Sequence, residues 1–500
     1  MKKVILSIFS LVGVVAFTQQ VNPSVEWIKS YGEGKTAEIN NIQKTSDGGF
    51  VFAGALETSH SSTMDVWVAK MSSSGEIEWQ KNYGSSDDDI AHFIQQTTDG
   101  GFIVVGYASL GDRDVTHHKG QRDIWVLKLA SNGDLEWQKT FGGSRYDEST
   151  SILQTPDGGY VLAASCDSFD GDFSKNRGKT DAWLIKLKPN GDFEWMKNYG
   201  GFDDDEALSV QLTADNHYLV AGRSNSTGIS GGFGFGDYDY WLLKIDSSTG
   251  KPIWQRPYGG TENDMGRIAL VSPNGGYIMG GYSNSEDGDI DNNKGKDDFW
   301  LIKLDDKGLV EWKKNYGGNN TDLLRYMQST NDKGYILIGE SQSTNIENNP
   351  NKGKNDALVI KINESGEVQW QKMFGGNLFD RGVSVLANDY KTYLVSINSS
   401  SQKIEGVQNQ GAYIIKLKEE DLSTSEYNKP VFKLYPNPSN GEFVIHYPFN
   451  NDTVEIYSTA GQLVYKKENL TGSQVEINLH YPAGVYFVKV NNARSKVVLR

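Results

Sequence analysis

A tryptophan recurs at nearly constant spacing along most of the chain, and this repeat constrains the fold more than any other feature. Successive copies lie 52, 58, 58, 59, 58 and 58 residues apart. The recurring residues are Trp27, Trp79, Trp137, Trp195, Trp254, Trp312 and Trp370. A long fixed period indicates repeated supersecondary units, so we interpret these tryptophans as structural.

An aspartate accompanies the tryptophan in most copies of the repeat. It lies ten residues after the tryptophan from the second copy on, whereas Ala37 holds this place in the first copy. The aspartates are Asp89, Asp147, Asp205, Asp264, Asp322 and Asp380. Six equivalent copies argue against catalysis, because an active site needs one asymmetric constellation. We expect these carboxylates to accept hydrogen bonds from loop backbone amides.

Each repeat has the pattern of four short antiparallel strands. In the third copy, strands are predicted at 149–155, 160–164, 183–187 and 193–197, where apolar residues alternate with a period of two. Asp157-Gly158-Gly159 supplies the positive φ angles that a tight hairpin needs. Seven such units predict a seven-bladed β-propeller.

The hairpin between the third and fourth strands also predicts a register. Pairing Leu187 with Phe193 places Lys186 opposite Glu194, and opposite charges facing each other stabilise a register. The same register predicts three more pairs: Lys70–Glu78, Lys128–Glu136 and Lys303–Glu311.

The two ends of the repeat array are incomplete in complementary ways. The array begins with a lone fourth strand around Trp27 and ends with a lone third strand at 413–417. We therefore predict that the N-terminal strand completes the last blade, with Glu26 opposite Lys416. Closure of this kind removes free sheet edges, which otherwise invite aggregation.

The first 18 residues have the pattern of a secretory signal peptide. Lys2 and Lys3 precede an apolar run from Val4 to Phe17, which is shorter than the ~20 residues that a membrane span needs. Cys166 is the only cysteine, so no intramolecular disulfide can form. We expect an exported protein, extracellular or on the outer cell surface, without a transmembrane segment.

The repeat stops near residue 419, and a different pattern follows. Residues 419–430 are polar and indicate a linker, while alternating apolar residues and Gly or Pro turns over 431–500 predict a small Ig-like β-sandwich. The fold class is therefore all-β, with signal peptide 1–18, propeller 19–418, linker 419–430 and sandwich 431–500.

Three motif blocks of the C-terminal region, at 434–443, 454–464 and 482–490, resemble the type A C-terminal sorting domain of the type IX secretion system of Bacteroidota. This resemblance implies that residues 431–500 engage the type IX secretion machinery. The tryptophan repeat likewise resembles propeller repeats of exported Bacteroidota proteins. The hairpin at 246–254 is similar to the repeat of pyrroloquinoline-quinone-type propellers, a likeness of fold that implies no quinone cofactor.

The long connections between second and third strands are the candidate binding region, because loops on a rigid scaffold usually carry binding residues. They lie at about 107–122, 165–180, 223–238, 282–297, 340–355 and 398–411. Candidate ligand-binding residues are Asp170, Asp172, Phe173, Phe233, Phe235 and Asp289. The alternating carboxylates Asp287, Asp289 and Asp291 are candidate ligands for Ca²⁺, which prefers oxygen ligands.

Charge and motifs limit the possible functions. A formal net charge of −15 argues against a nucleic-acid partner, because phosphate binding needs a basic surface. The chain shows no nucleophile elbow, metalloprotease helix, phosphate loop or dinucleotide fingerprint. We favour a non-catalytic binding module for a glycan or a protein. A polysaccharide-active enzyme, either a glycoside hydrolase or a lyase, and a structural scaffold remain as alternatives.

Overall fold

The computed structural model describes most of the chain and divides it into two compact units, Met1–Glu419 and Glu420–Arg500. The described residues are 22–58, 63–226, 236–346, 351–408, 411–419, 432–459, 461–490 and 493–500. The predicted signal peptide, all but the first residue of the predicted linker, Phe233 and Phe235 lie outside these ranges. The signal peptide and linker therefore stay predictions.

The first unit contains seven four-stranded antiparallel sheets. Strand β1 (Ser24–Tyr31) belongs to the seventh sheet, and the other strands follow chain order. The first sheet contains β2 (Ala37–Lys44), β3 (Phe50–Glu57), β4 (Met64–Met71) and β5 (Ile77–Tyr83); the second contains β6 (Ile90–Gln96), β7 (Phe102–Ala108), β8 (Asp123–Leu129) and β9 (Leu135–Phe141). The third contains β10 (Asp147–Gln154), β11 (Tyr160–Cys166), β12 (Asp181–Leu187) and β13 (Phe193–Asn198); the fourth contains β14 (Asp205–Leu212), β15 (Tyr218–Ser224), β16 (Asp239–Ile245) and β17 (Pro252–Tyr258).

The remaining sheets of this unit repeat the same pattern. The fifth contains β18 (Asp264–Val271), β19 (Tyr277–Ser283), β20 (Asp298–Leu304) and β21 (Val310–Tyr316); the sixth contains β22 (Asp322–Ser329), β23 (Tyr335–Ser341), β24 (Asp356–Ile362) and β25 (Val368–Phe374). The seventh contains β26 (Asp380–Ala387), β27 (Thr392–Ser399), β30 (Gly411–Lys418) and β1. A two-stranded hairpin of β28 (Lys403–Ile404) and β29 (Val407–Gln408) and a 3-10 turn at Gly171–Phe173 lie in connections.

The seven sheets form a closed ring. The first strand of each sheet contacts the first strand of the next, and β26 of the seventh sheet contacts β2 of the first. These first strands therefore line the centre, and the fourth strands lie outermost. The arrangement is the seven-bladed β-propeller that the tryptophan repeat predicts.

Strand β1 closes the ring by pairing antiparallel with β30. The ion pair predicted across this closure forms, with Lys416 Nζ 3.0 Å from Glu26 Oε2. The predicted register is wrong by one position, however, since Trp27 rather than Glu26 lies opposite Lys416. The physical reason is a β-bulge between Val25 and Trp27, which leaves Glu26 as the extra residue of β1.

The same bulge occurs in the hairpins between third and fourth strands. Leu187 faces Phe193 as predicted, but Trp195 rather than Glu194 faces Lys186. The predicted ion pairs form nevertheless: Lys70–Glu78 at 3.0 Å, Lys128–Glu136 at 3.0 Å, Lys186–Glu194 at 3.5 Å and Lys303–Glu311 at 3.1 Å. The predicted side-chain ion pairs are therefore confirmed, whereas the predicted backbone register is wrong by one residue at the lysine.

The repeated tryptophans connect neighbouring blades. In four of them the indole lies against an aromatic residue at or next to the start of the second strand of the next blade. These contacts are Trp79–Phe102, Trp137–Tyr160, Trp254–Tyr277 and Trp370–Tyr393, with ring centroids 5.7 to 5.8 Å apart. Tilted and edge-on aromatic pairs stabilise a contact beyond their burial, so these tryptophans have a structural role.

The C-terminal unit is a small all-β domain. Its strands are β31 (Lys433–Tyr435), β32 (Glu442–Ser458), β33 (Leu463–Asn478), β34 (Gly484–Val490) and β35 (Ala493–Leu499). The start of β32 pairs with β31 and its end pairs with β34, while bulges interrupt the middle. Bulges of this kind let one strand bend around a common core, which here includes Phe443, Ile456 and Val488. Among the described residues, no helix has the length and apolarity of a membrane span.

Candidate ligand-binding site

Strand alternation gives the propeller two unlike faces. The connections from second to third strands and from fourth to first strands emerge on one face, which we call the loop face. The opposite face carries the tight hairpin turns, such as 45–49 and 72–76. The sequence-predicted binding residues that the structure describes all belong to connections of the loop face.

The predicted loop aspartates bind the backbone of the neighbouring connection. Asp170 accepts a hydrogen bond from the backbone amide of Ser144 at 2.7 Å, and Asp172 accepts one from Gly142 at 3.0 Å. Equivalent bonds join Asp287 to Thr261 at 2.8 Å and Asp289 to Gly259 at 3.4 Å. The repeated Asp-x-Asp pattern in these loops therefore reflects loop packing in at least two blades.

The three candidate calcium ligands have partners of other kinds. Asp287 and Asp289 accept the backbone bonds just described, and Asp291 Oδ2 lies 3.2 Å from Lys313 Nζ. Across the ranges that the structure describes, no cluster of three or more His, Cys, Asp or Glu residues is arranged to hold a metal ion. Calcium binding by these residues stays a prediction.

Two aromatic residues of the loop at 165–180, the predicted Phe173 and its neighbour Phe169, lie in different environments. Phe173 is fully buried and packs edge-on against Trp183, with ring centroids 5.2 Å apart. Its assignment as a surface ligand contact is therefore wrong, because the 3-10 turn at Gly171–Phe173 directs this ring into the core. Phe169 is exposed, and the Arg145 guanidinium lies 5.3 Å from the centre of its ring.

The repeated aspartates hold the connections between blades, as the sequence predicts. Asp147 is buried and accepts hydrogen bonds from the Gly143 amide at 2.9 Å and the Ser168 hydroxyl at 2.6 Å. Burial raises the pKa of Asp147 to about 6. The backbone amide bond recurs in all six copies, with donors Ser85, Gly143, Gly201, Gly260, Gly318 and Gly376.

Sequence reasoning missed a second set of buried aspartates, at or next to the start of the third strands. They are Asp65, Asp123, Asp181, Asp239, Asp298 and Asp356. A glycine lies against each of them, and at Gly84, Gly259 and Gly317 the same glycine also lies close to the aspartate of the next blade. A Cβ atom on Gly317, for example, would lie 2.2 Å from Asp298 Oδ1 and 2.7 Å from Asp322 Oδ2. Only glycine fits between these carboxylates.

This pair of aspartates is absent where the seventh blade meets the first. Ala37 replaces the first-strand aspartate, and Gly411 replaces the third-strand aspartate. A cavity of about 380 Å³ lies at this point, and we call it the seam cavity. Its lining residues are Gly34, Lys35, Thr36, Ala37, Glu38, Glu57, Glu340, Asn355, Phe379, Arg381, Asn398, Ser399, Ser400 and Gly411. The sevenfold pattern is thus broken at the place where the cavity lies.

One wall of the seam cavity combines an aromatic ring with charged groups. Phe379 is half-exposed, and Lys354 Nζ lies 4.5 Å from the centre of its ring. Glu340 is buried and accepts a hydrogen bond from Arg325 Nε at 3.1 Å. Arg381 Nε lies 3.6 Å from Glu340 Oε1. The Glu340 carboxylate therefore holds the guanidinium groups of Arg325 and Arg381 in place.

Amide and hydroxyl groups complete the seam cavity. Asn355 donates a hydrogen bond to Glu340, while its own Oδ1 is buried without a hydrogen-bond partner among the described residues. On the opposite side, Glu57 accepts hydrogen bonds from the Thr36 amide at 3.2 Å and the Thr36 hydroxyl at 2.6 Å. These bonds hold the pKa of Glu57 below its ordinary value.

Apart from Ala37, none of the residues that line the seam cavity was singled out individually from the sequence, although some belong to the predicted loops at 340–355 and 398–411. The departure of Ala37 from the aspartate pattern was visible in the sequence, and Gly411 at the start of the last third strand is a second departure. Together they mark the one blade junction that lacks both aspartates. The thiol of Cys166 lies elsewhere in the core, where burial raises its pKa.

Comparison with known proteins identifies the C-terminal domain. Residues 433–500 match the family model described as the secretion system C-terminal sorting domain. This domain is a type IX sorting domain. The sorting domain indicates export through the type IX secretion system to the cell surface or the extracellular space.

The chain resembles proteins of several kinds at low sequence identity. Regulatory protein FlaEY of Caulobacter vibrioides is 26% identical over 175 residues, which cover 33% of this chain and only 18% of that protein. The WD40 domain of Neurospora crassa Pan2 has 9% identity and a TM-score of 0.44, covering 77% of this chain and 91% of that one. Quinohemoprotein alcohol dehydrogenase of Comamonas testosteroni has 9% identity and a TM-score of 0.42, covering 79% and 76%.

Proposed function

We propose that this exported propeller is a non-catalytic binding module that holds a glycan in the seam cavity. The observation that carries the proposal is the combination, at one asymmetric point of a repeated scaffold, of an exposed aromatic ring with fixed polar groups. Sugars present apolar C–H faces and hydroxyl groups on the same ring. The Phe379 ring can pack against the C–H face, and Arg381 and Asn355 can form hydrogen bonds with the hydroxyl groups.

The size of the seam cavity supports a small ligand rather than a flat protein surface. Ligand pockets typically enclose about 300–1,000 Å³, and the seam cavity has about 380 Å³. The polar groups are also preorganised, because Glu340 binds Arg325 and Asn355 before any ligand arrives. Preorganised groups lose little conformational freedom on binding, which increases affinity.

The electrostatics of the seam cavity favour binding over glycoside hydrolysis. A hydrolase needs one carboxyl group with a raised pKa to protonate the leaving oxygen. Glu57 has the opposite shift, because Thr36 donates two hydrogen bonds to it. The buried carboxylate of Glu340 already accepts hydrogen bonds from Arg325 and Asn355 and lies beside Arg381.

We further propose the remaining steps of delivery. Residues 1–18 act as the signal peptide, and residues 431–500 engage the type IX machinery of a member of the Bacteroidota. This route places the seam cavity outside the cell, where polysaccharides are available as ligands.

A glycan array probed with the purified full chain tests the proposal. We expect binding to a defined set of glycans without release of reducing ends. Replacing Phe379 by Ala removes the apolar platform and is expected to weaken binding at least about tenfold, equivalent to about 1.4 kcal/mol. The matched control is Phe202→Ala, because Phe202 is 81% exposed on the loop face in another connection.

Three outcomes would contradict the proposal. They are the absence of glycan binding, equal losses in the Phe379 and Phe202 variants, and release of reducing ends that Glu57→Gln abolishes. The third result would favour the enzyme alternative over binding alone.

A further inference from the structure

Each inner strand of the propeller carries one bulged residue at an equivalent position. The repeated aspartate, or Ala37 in the first blade, is counted here as position one of its strand. The register with the second strand shifts at position four, and the residue at that position has no partner on the second strand. We call these residues the channel ring. They are Asn40, His92, Thr150, Leu208, Arg267, Arg325 and Val383.

Polar members of the channel ring in the first and third blades bind the neighbouring inner strand. Asn40 Nδ2 donates to the carbonyl of Ala91 at 3.0 Å, and Thr150 Oγ1 donates to the carbonyl of Leu208 at 2.7 Å. These side chains therefore connect adjacent blades and have their hydrogen-bonding capacity used within the protein.

Arg267 in the fifth blade differs from them. Its guanidinium lies beside the ring of Tyr282, 5.8 Å from the centroid, and its Nε is buried without a hydrogen-bond partner among the described residues. No carboxylate in the described ranges lies within 4.0 Å of it. An unpaired charge in such surroundings is costly unless a counter-ion accompanies it.

The cations on either side of Arg267 each have a carboxylate of their own. Arg223 in the fourth blade pairs with Glu206, and Arg325 in the sixth blade pairs with Glu340. Burial and the nearby Arg325 and Arg223 lower the pKa of Arg267. The two neighbouring ion pairs therefore leave the positive charge of Arg267 uncompensated.

We propose that the channel ring binds an oxyanion beside Arg267, with sulfate as the representative ligand. The planar guanidinium offers parallel N–H donors that match the spacing of oxyanion oxygens. The Tyr282 ring lies on one side of Arg267, and its hydroxyl accepts a hydrogen bond from that side chain, which limits the directions in which the guanidinium can turn and leaves its other N–H groups as donors. This site differs from the proposed glycan site, because Arg267 does not line the seam cavity, although Arg325 of the channel ring binds Glu340, which does.

Thermal unfolding of the full chain in sulfate tests the proposal. A ligand that binds only the folded state raises the melting temperature in proportion to the logarithm of its concentration above Kd. We expect sodium sulfate to raise the melting temperature by at least about 2 °C over sodium chloride at the same ionic strength. Calorimetric titration with sulfate is expected to give a stoichiometry near one.

Replacement of Arg267 by Met separates this site from general salt effects. The variant is expected to melt at the same or a higher temperature without sulfate, since the uncompensated charge is gone, and to lose the response to sulfate. The matched control is Arg145→Met, because Arg145 is exposed on the loop face and pairs with Asp167 at 3.3 Å. This control is expected to keep the full response.

A conservative variant keeps the test decisive if the methionine variant fails to fold. Arg267→Lys retains the charge without the planar donors, and we expect its affinity for sulfate to fall at least about fivefold. The proposal is overturned if wild type shows no sulfate-specific stabilisation, or if Arg267→Met or Arg267→Lys binds sulfate as wild type does.

The source of the anion is decided by competition. If dextran sulfate displaces inorganic sulfate, the site accepts anionic groups carried by a polysaccharide. If inorganic sulfate binds and the polymer does not compete, the site is assigned to a free anion.

Discussion

At the scale of single residues, buried lysines of the third strands connect the first hairpin turn of a blade to its fourth strand. Lys128 is almost fully buried, and its Nζ lies 3.0 Å from Asp99, 3.0 Å from Glu136 and 3.2 Å from the carbonyl of Leu129. Asp99 belongs to the turn between the first two strands, and Glu136 belongs to the fourth strand. The ammonium group therefore links three parts of the blade, and similar contacts occur at Lys70 and Lys186.

Replacing Lys128 by Met tests this role. The side-chain volume is nearly retained, whereas three charge-assisted hydrogen bonds are lost, so we expect a loss of about 1–3 kcal/mol in the free energy of unfolding. The matched control is Lys81→Met, because Lys81 makes one exposed ion pair with Asp134 at 2.8 Å. This control is expected to lose less than about 1 kcal/mol. Equal losses in denaturant unfolding would contradict the linking role.

At the scale of elements, strand β1 has an importance beyond its length. It supplies the outer strand of the seventh blade, although about 380 residues separate it from its partner β30 in the chain. Its pairing repeats the bulge and the Lys–Glu ion pair of the internal hairpins. The closing blade therefore has the same edge geometry as the other six.

Deletion of residues 24–32 tests ring closure. We expect the melting temperature to fall by at least about 4 °C, because eight strand residues lose their pairing and the edge of β30 becomes free. Addition of a peptide with the sequence of residues 22–32 is expected to restore part of the loss by strand addition. An unchanged melting temperature would show that the blade does not need this strand.

At the scale of the whole molecule, the buried aspartates make stability depend on pH. Burial raises the pKa of Asp89, Asp147, Asp264, Asp298 and Asp356 to about 6. An aspartate in the unfolded chain has a pKa of about 3.9. The folded protein therefore binds more protons between pH 4 and 6, and its stability increases as the pH falls through this window.

Below about pH 4, carboxylates whose pKa is lowered in the folded protein make stability decrease as the pH falls. Asp47 accepts hydrogen bonds from Thr45 and Lys70, which hold its pKa far below the ordinary value. Asp47 therefore stabilises the folded protein at pH values above the pKa that it has in the unfolded chain. This stabilisation is lost as the pH falls toward the pKa that Asp47 has in the folded protein. Maximum stability is therefore expected at mildly acidic pH.

Melting temperatures measured from pH 3 to pH 9 test this expectation. We expect the melting temperature at pH 5 to exceed that at pH 8 by at least about 2 °C. Asp147→Asn removes one of the titrating groups and is expected to reduce this difference. Asp134→Asn serves as the control, because Asp134 is exposed and its pKa is lowered by Lys81. A melting temperature that increases steadily from pH 5 to pH 8 would refute the argument.

The repeat in the sequence was sufficient to predict the architecture. Strand alternation and the tryptophan spacing are local signals that every unit repeats, and Asp-Gly-Gly turns add to them in the first three units, so seven blades followed without coordinates. The lone strand at Trp27 and the lone strand at 413–417 predicted closure by the same logic. The bulges escaped prediction because one inserted residue changes the backbone register without altering which charged side chains meet.

Candidate site residues were less accessible from the sequence for a different reason. Asp170 and Asp289 looked like ligands because they are acidic and lie in long loops, yet their carboxylates bind backbone amides of the adjacent connection. Phe173 looked exposed because its loop is polar, yet a single turn buries it against Trp183. Sequence alone does not show whether a loop side chain faces solvent or its neighbour.

What the sequence by itself determined is the number of blades, their closure and the sorting domain, because these depend on patterns within one repeat or one motif. What only the tertiary structure decided is where a ligand fits. The seam cavity combines Thr36, Asn355 and Asn398, and Arg267 of the channel ring lies near Arg223 and Arg325. Such groups are brought together by ring packing between blades, which a linear pattern does not encode residue by residue.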